Sequence, residues 1–338
     1  MWSVLEPFVG RARSTSQFSL VCLALVTALL ATEVTAAAGE GNDTPGTAGA
    51  AARIVAVKKV DAQMQDLTVS SPVMGTSIPV RIILPQGWDK KHQATYPVLY
   101  MLHGGDDDYT SWTRETDLEE LARKSNILIV MPDGGRAGYY SDWHAGTSRW
   151  ETFHTTELVR LMEEEYHAGP ARAIMGLSMG GFGALNYAAH HQGMFRYVAA
   201  MSSYVDLNDP LVRLTLGLGS DRDGIDINQV WGDPVDNFDV WQAHNPSAMP
   251  GAFRGTQVHL SAGNGTPGPL DQGRPLDVLL VGAVAESGLP KSIRKFASAL
   301  RSEGVRATTH LYRPGTHSWP YWQRELHSIW PTVMKSLR

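Results

Sequence analysis

Ala173-Ile174-Met175-Gly176-Leu177-Ser178-Met179-Gly180-Gly181-Phe182-Gly183 decides how the rest of the chain is read. It holds Gly-x-Ser-x-Gly as Gly176, Ser178 and Gly180. Ala171 to Met175 before it reads as a short buried strand, and Gly183 to His191 after it as a helix with small residues on its packing face. A strand that turns sharply into a helix holds the turn residue in a strained conformation and lifts its side chain clear of the sheet. Glycines at both flanks leave room for the turn, because a side chain there would meet the neighbouring strand or helix. The hydroxyl is then expected at a helix N-terminus, where backbone N–H groups and the dipole favour negative charge. The same pattern also occurs as a Gly-rich turn with an incidental serine, so its meaning rests on what accompanies it.

The accompanying elements form a repeating order. Ile54 to Val60, Asp66 to Ser70 and Ser77 to Leu84 read as strands with turn residues between them. Pro97 to Leu102 and Ile127 to Met131 are continuous apolar runs, as expected of strands covered on both faces. Thr116 to Lys124 and Trp150 to Tyr166 read as helices, and Tyr197 to Met201 as the strand after the serine turn. Asn208 to Asn245, rich in Gly, Asp and Trp, breaks the rhythm and reads as an insertion over the active-site face. Gln257 to Ala262 and Ala307 to Tyr312 resume the strands. Pro275 to Glu286, Lys291 to Arg301 and Tyr321 to Leu337 read as helices. Alternation of this kind predicts an α/β fold, a mostly parallel sheet with helices on both faces and active residues beyond the strands' carboxyl ends.

At 338 residues and 43% hydrophobic content the chain suits one large α/β domain. Its net charge of −5 gives no bulk reason to bind nucleic acid. Residues 1–38 read as a secretory signal. Arg11 and Arg13 precede a 13-residue apolar core, Phe18 to Leu30, and Thr35-Ala36-Ala37-Ala38 offers cleavage positions. That core is shorter than the roughly 20 residues of a membrane span. The lone cysteine, Cys22, lies inside it behind Val21, which argues against a lipoprotein signal, a disulfide and a cysteine nucleophile. Residues 39–52 read as a flexible linker and 53–338 as the folded domain, so the mature protein is expected to be secreted, with no stable membrane span.

Serine is a weak nucleophile at neutral pH and needs an adjacent base, itself oriented by a third group. Of twelve histidines, only His317 lies in a late strand-end loop, Gly315-Thr316-His317-Ser318-Trp319. His154, His190, His191, His259 and His310 fall in helices or strands. The order Ser, acid, His confines the acid to residues between 178 and 317, and from the residues alone Asp271 and Glu286 stand even. Neither His-Glu-x-x-His nor paired cysteines occur, so no metal or other cofactor is expected.

Trp143, Trp150-Glu-Thr-Phe153, Gly176-Leu-Ser-Met-Gly180, Trp231-Gly232, Asn264-Gly-Thr-Pro267 and His317-Ser-Trp-Pro-Tyr-Trp322 resemble the secreted mycolyltransferases of the antigen 85 type, within the esterase D-like branch of α/β-hydrolases. The resemblance runs from about Met64 to the C-terminus and is most specific at His317. It implies the α/β-hydrolase fold, with a Ser178, Glu286 and His317 triad in which Glu286 takes precedence over Asp271. It further implies an oxyanion hole of the Met179 and Gly105 backbone N–H groups. One loop departs from the pattern. Where the family has Asp-Gly-Leu-Arg near its trehalose acceptor, this chain has His103-Gly104-Gly105-Asp106, shorter and without arginine, which argues against trehalose. His103 is the expected acceptor contact. Trp319, with Tyr321 and Trp322, is read either as a wall of the acyl groove or as packing for the last helix. The expected partners are an acyl ester or lipid and a hydroxyl acceptor. A carboxylesterase using water and a secreted binding protein without catalysis are the competing readings, and the sequence leaves the oligomeric state open.

Overall fold

A computed structural model describes residues 51–90, 94–222 and 224–338. The leader at 1–38 and nearly all of the linker at 39–52 lie outside the described residues. The nine strands are β1 (Arg53–Lys59), β2 (Met64–Ser71), β3 (Thr76–Ile83), β4 (Tyr96–Leu102), β5 (Leu128–Pro132), β6 (Ala168–Leu177), β7 (Tyr197–Met201), β8 (Gln257–Ala262) and β9 (Ala307–Leu311). They form one sheet in the order β1-β2-β3-β5-β4-β6-β7-β8-β9. Pairings among β1, β2, β3 and β5 are antiparallel; those from β5 through β9 are parallel.

Burial follows from that topology. The central strands β5 and β7 are buried at every residue, because helices cover both faces. The antiparallel wing has solvent on one side and ends in β1, whose Lys58 and Lys59 guard an exposed edge. Along β4, Leu99 and Met101 point to one core and Val98, Tyr100 and Leu102 to the other, as the two-residue period of a strand requires.

Helices α1 (Ser111–Glu115) and α2 (Leu118–Arg123) follow β4. Then come α3 (Trp150–Thr152), a π-helical stretch (Phe153–Leu158) and α4 (Val159–Tyr166). Next are α5 (Met179–His190), α6 (Pro210–Arg222), α7 (Ile227–Trp231) and α8 (Phe238–Ala243), and finally α9 (Leu276–Ser287), α10 (Leu289–Ser302) and α11 (Trp319–Ser336). One core lies between the sheet and α5 with α10, through Phe182, Leu185, Ile293 and Phe296. The other lies under α11, through Trp322, Leu326, Ile329 and Val333. The described residues thus take the α/β-hydrolase fold as one domain.

The expected elements are present, with instructive differences. The helix read at Thr116 to Lys124 is α2, Leu118–Arg123; α1 just before it was not expected and ends where Thr116 is extended and its hydroxyl donates to the Trp112 carbonyl. The helix after the serine starts at Met179 rather than Gly183. The residues 208–245 fold as α6 to α8 and pack back on the domain, with Trp231 against Phe182 of α5 at 5.5 Å and its indole N–H on Ser141 Oγ at 3.1 Å.

Candidate active site

Strand β6 ends at Leu177, α5 begins at Met179, and Ser178 between them holds φ 51° and ψ −122°. For a non-glycine residue this backbone costs on the order of 1–3 kcal/mol and persists only where the surroundings enforce it. Here they do. Ser178 N–H donates to the Met201 carbonyl at 2.8 Å, and the Ser178 carbonyl accepts from Phe182 N–H at 3.1 Å and Ser203 Oγ at 3.0 Å. A Cβ on Gly176 would lie 2.3 Å from the Gly180 backbone, and one on Gly180 would lie 2.4 Å from the Leu102 and His103 carbonyl oxygens. Gly180→Ala is therefore expected to lower Tm by ~10 °C or more, or to prevent folding, since β4 and α5 would have to part. Gly217→Ala, with open space around its Cβ, should leave Tm within a few degrees of wild type or raise it. Thermal unfolding of the two variants checks this.

His317 lies between β9 and α11, its N–H donating to the Gly282 carbonyl at 3.2 Å. Its Nδ1 faces Glu286 Oε2 at 2.8 Å. Glu286 is fully buried on α9, and its other oxygen accepts from Ser202 Oγ at 2.7 Å and Gly263 N–H at 2.5 Å. A carboxylate fixed by those two donors accepts from Nδ1–H and leaves Nε2 as the basic nitrogen. Trp322 closes one side of the imidazole, edge-on at 5.0 Å, and donates its indole N–H to Ser202 Oγ at 2.9 Å.

Ser202 is a residue that sequence reasoning missed. It follows β7, takes φ 50°, and its N–H donates to the Ser261 carbonyl at 2.7 Å. Through it, the strand end that accepts the Ser178 N–H also holds the carboxylate that orients His317. Its position one residue past a strand's carboxyl end was the only available signal. Among the described residues no hydrogen bond joins Ser178 Oγ to His317 Nε2. Such bonds often tighten only when substrate arrives.

Asp271, the other candidate acid, is 3% exposed and does not meet His317. It accepts from Thr316 Oγ1 at 2.5 Å, Tyr321 O–H at 2.7 Å and Gly268 N–H at 2.8 Å. Burial alone would raise its pKa, but these donors outweigh it and hold the carboxyl below its ordinary value. Asp271 thus braces the loop that carries His317. Other histidines are spoken for. His154 is pushed down to about 3 by burial and lies between Tyr187 O–H and the Asp133 carbonyl. His190 and His191 meet Glu151, while His259 and His310 meet Glu325.

The expected acceptor contact at His103 is corrected. His103 is 1% exposed; its Nε2 accepts from Gly134 N–H at 2.8 Å and its Nδ1 donates to the Gly104 carbonyl at 2.7 Å. With both nitrogens used, the ring is a prop beneath the first loop, its own carbonyl held by Tyr140 O–H at 3.0 Å. The loop above lies against the nucleophile, since a Cβ on Gly104 would be 3.5 Å from Ser178 Cβ. Gly105 is next along this loop. Met179 heads α5, so its N–H has no intrahelical acceptor and is a candidate oxyanion donor with that of Gly105. Arg136, in the loop after β5, reaches Asp106 Oδ1 at 2.7 Å. Trp319 is half-buried, edge-on to Trp112 and to Trp322 at 5.3 Å each, while Tyr321 and Trp322 are buried. Packing accounts for the latter two, and Trp319 alone of the three retains an open side.

Among the described residues no group of three or more His, Cys, Asp or Glu side chains could hold a metal ion, and no helix is long and apolar enough to cross a membrane.

The family model Esterase matches residues 71–333. The diacylglycerol acyltransferase/mycolyltransferase Ag85B of Mycobacterium leprae (strain TN) is 32% identical over 305 residues, covering 86% of this chain and 89% of that protein. Ag85A of Mycobacterium tuberculosis (strain ATCC 25618 / H37Rv), with the same activity in its name, is 31% identical over 307 residues, 86% of this chain and 87% of its own. Among solved structures, Mycobacterium tuberculosis MPT51 (FbpC1) superimposes with a TM-score of 0.69 at 23% identity, over 82% of this chain and all of that one. An S-formylglutathione hydrolase from Agrobacterium tumefaciens does so with 0.63 at 16% identity, over 84% and 99%. At those identities the two structures speak for the fold.

Proposed function

The chain belongs to the Esterase family, and from that premise we propose that it is a secreted serine acyl-transfer enzyme with Ser178, Glu286 and His317 as its triad. The observation that carries the proposal is the 2.8 Å contact between His317 Nδ1 and a Glu286 carboxylate whose second oxygen is already saturated. Ser178 Oγ attacks the acyl carbonyl while His317 Nε2 takes its proton. Glu286 stabilises the imidazolium, and the Met179 and Gly105 N–H groups receive the oxyanion. The leaving alcohol departs with the proton from His317, giving a Ser178 ester. A second hydroxyl then attacks that ester with His317 again as base. Residues 1–38 are the leader removed on export, 39–52 the linker, and 53–338 the catalytic domain. A lipid ester as donor follows from the names of the mycolyltransferase relatives. Trp319, through its open side, is the contact proposed for the acyl chain.

Water as acceptor is the second reading, favoured by the first loop. His103 replaces an acidic residue and is buried, and Arg136 is engaged with Asp106. Trehalose added during turnover is therefore expected to capture only a minor share of acyl groups, with free acid as the main product. Mass spectrometry of products from the mature enzyme, an acyl ester and candidate hydroxyl acceptors decides between transfer and hydrolysis. If trehalose takes most of the acyl groups, the acceptor site has been misjudged; if only free acid forms with every acceptor tried, the enzyme is a carboxylesterase.

A further inference from the structure

Beyond the carboxyl ends of β8 and β9, a cavity of 210 Å³ opens between those strand ends and the start of α10. Its wall includes Lys291, Arg294 and Arg313 together with Asn264, Ser287 and Tyr312, and no carboxylate. Among the described residues none of the three cations forms an ion pair.

The placement of Lys291 is unfavourable in isolation. Lys291 and Arg294 stand in the first two turns of a 14-residue helix whose first turn has no acidic residue. The partial positive charge of a helix N-terminus disfavours Lys291 in the first turn and has largely faded by Arg294 in the second. Arg313 adds a third positive charge from the other wall. An anion in the cavity converts this repulsion into attraction, and two guanidinium forks with an ammonium suit the several oxygens of a phosphate better than the two of a carboxylate.

The cavity borders the two elements that hold the candidate triad acid. Ser287 follows Glu286, and Asn264 follows Gly263, whose N–H holds the Glu286 carboxylate. We propose that Lys291, Arg294 and Arg313 form a phosphate-binding subsite, and that the enzyme's acyl donor or hydroxyl acceptor bears a phosphoryl group seated there. This rests on the acyl-transfer reading for its chemistry, though binding of the anion does not require it.

The test separates the two. Inorganic phosphate and glycerol 3-phosphate are titrated into the Ser178→Ala protein by calorimetry, alone and with Lys291→Gln and Arg294→Gln added. Both anions should bind, and the double change should weaken them at least about tenfold, the worth of one charge-assisted contact. Without phosphate, the Tm of the Lys291→Gln/Arg294→Gln protein should equal or exceed that of its parent, because a cost at the helix terminus has been removed. Phosphate should raise the Tm of the parent alone. Affinity indifferent to the two changes, or no binding at all, overturns the subsite.

In the active enzyme, a 1-acylglycerol 3-phosphate is compared with the 1-acylglycerol of equal chain length as donor. Glycerol 3-phosphate is compared with glycerol as acceptor, using a neutral p-nitrophenyl ester as donor. A preference of about tenfold in kcat/KM places the phosphate on the donor; preferential capture of acyl groups by glycerol 3-phosphate places it on the acceptor. Either preference should vanish in the Lys291→Gln/Arg294→Gln enzyme while hydrolysis of the p-nitrophenyl ester in phosphate-free buffer is retained. Absence of both preferences overturns the assignment to a substrate. Activity persisting in Ser178→Ala would instead remove the acyl-enzyme reading and leave the binding result standing.

Discussion

Ser178→Ala is expected to lower ester turnover by about 10⁶, as loss of the nucleophile does where three groups act as one unit. Among the described residues the hydroxyl forms no hydrogen bond that supports the fold, and the contacts that fix Ser178 run through its backbone. Alanine at the same φ of 51° bears a similar strain, so Tm should stay within about 2–3 °C of wild type. A fluorophosphonate should label Ser178 and no other residue in the wild-type enzyme, and nothing in the variant. Peptide mapping that finds the label elsewhere, or turnover reduced less than about a hundredfold, would remove Ser178 from the mechanism.

The second large effect distinguishes the two buried acids. Glu286→Gln should slow acylation by about 10⁴, the cost of leaving the base in the wrong tautomer. The carboxylate accepts from Ser202, Gly263 and His317. A glutamine amide must turn its NH₂ toward one side of that set. If it faces His317, the ring proton moves to Nε2 and the base is lost. Asp271→Asn should reduce kcat by less than about tenfold, since Asp271 does not touch His317 and acts on its loop through Thr316 and Tyr321. Its larger effect is on stability, and the sign follows from linkage. Its folded pKa lies below the ordinary value, so its contribution is full above the unfolded carboxylate pKa and lost as pH falls through the depressed one. The Tm gap between wild type and Asp271→Asn should therefore be widest near neutrality and close in acid. Burst kinetics and melts across pH check both halves, and the reverse ranking of the two variants would exchange their roles.

Much of this architecture could be read from the residues. Tyr197–Met201 and Gln257–Ala262 are strands at the expected bounds, the first a continuous apolar run as in a central parallel strand and the second alternating Val258, Leu260 and Ala262 with polar residues at the two-residue period of a strand. Strand β6 extends beyond the expected Ala171 to Met175 at both ends, since Gly169 and Pro170 mask its start and Gly176 its end. The π-helical stretch at Phe153–Leu158 was not legible, because apolar spacing there fits an ordinary helix equally well. At the site, Ser178 and His317 carried local signals. The acid did not: Glu286 and Asp271 are both buried near the same loop, and which one faces Nδ1 depends on how α9 is set against β8. His103 misled for a related reason. Sequence position put it beside the nucleophile, but only the fold turns its ring inward beneath the loop.

The edge-on contact of Trp322 with His317 gives the protein an optical report on its own base. An imidazolium quenches indole emission far more than a neutral imidazole, and at 5.0 Å the two rings touch. The Trp322 indole is also pinned through its N–H to Ser202, so its distance to His317 is set by the same contacts that set the geometry of Glu286. Fluorescence lost on replacing Trp322 with phenylalanine, followed against pH, would isolate this one chromophore from the ten tryptophans of the chain. The contact between the base and Trp322 could then be followed by light, without substrate and without turnover.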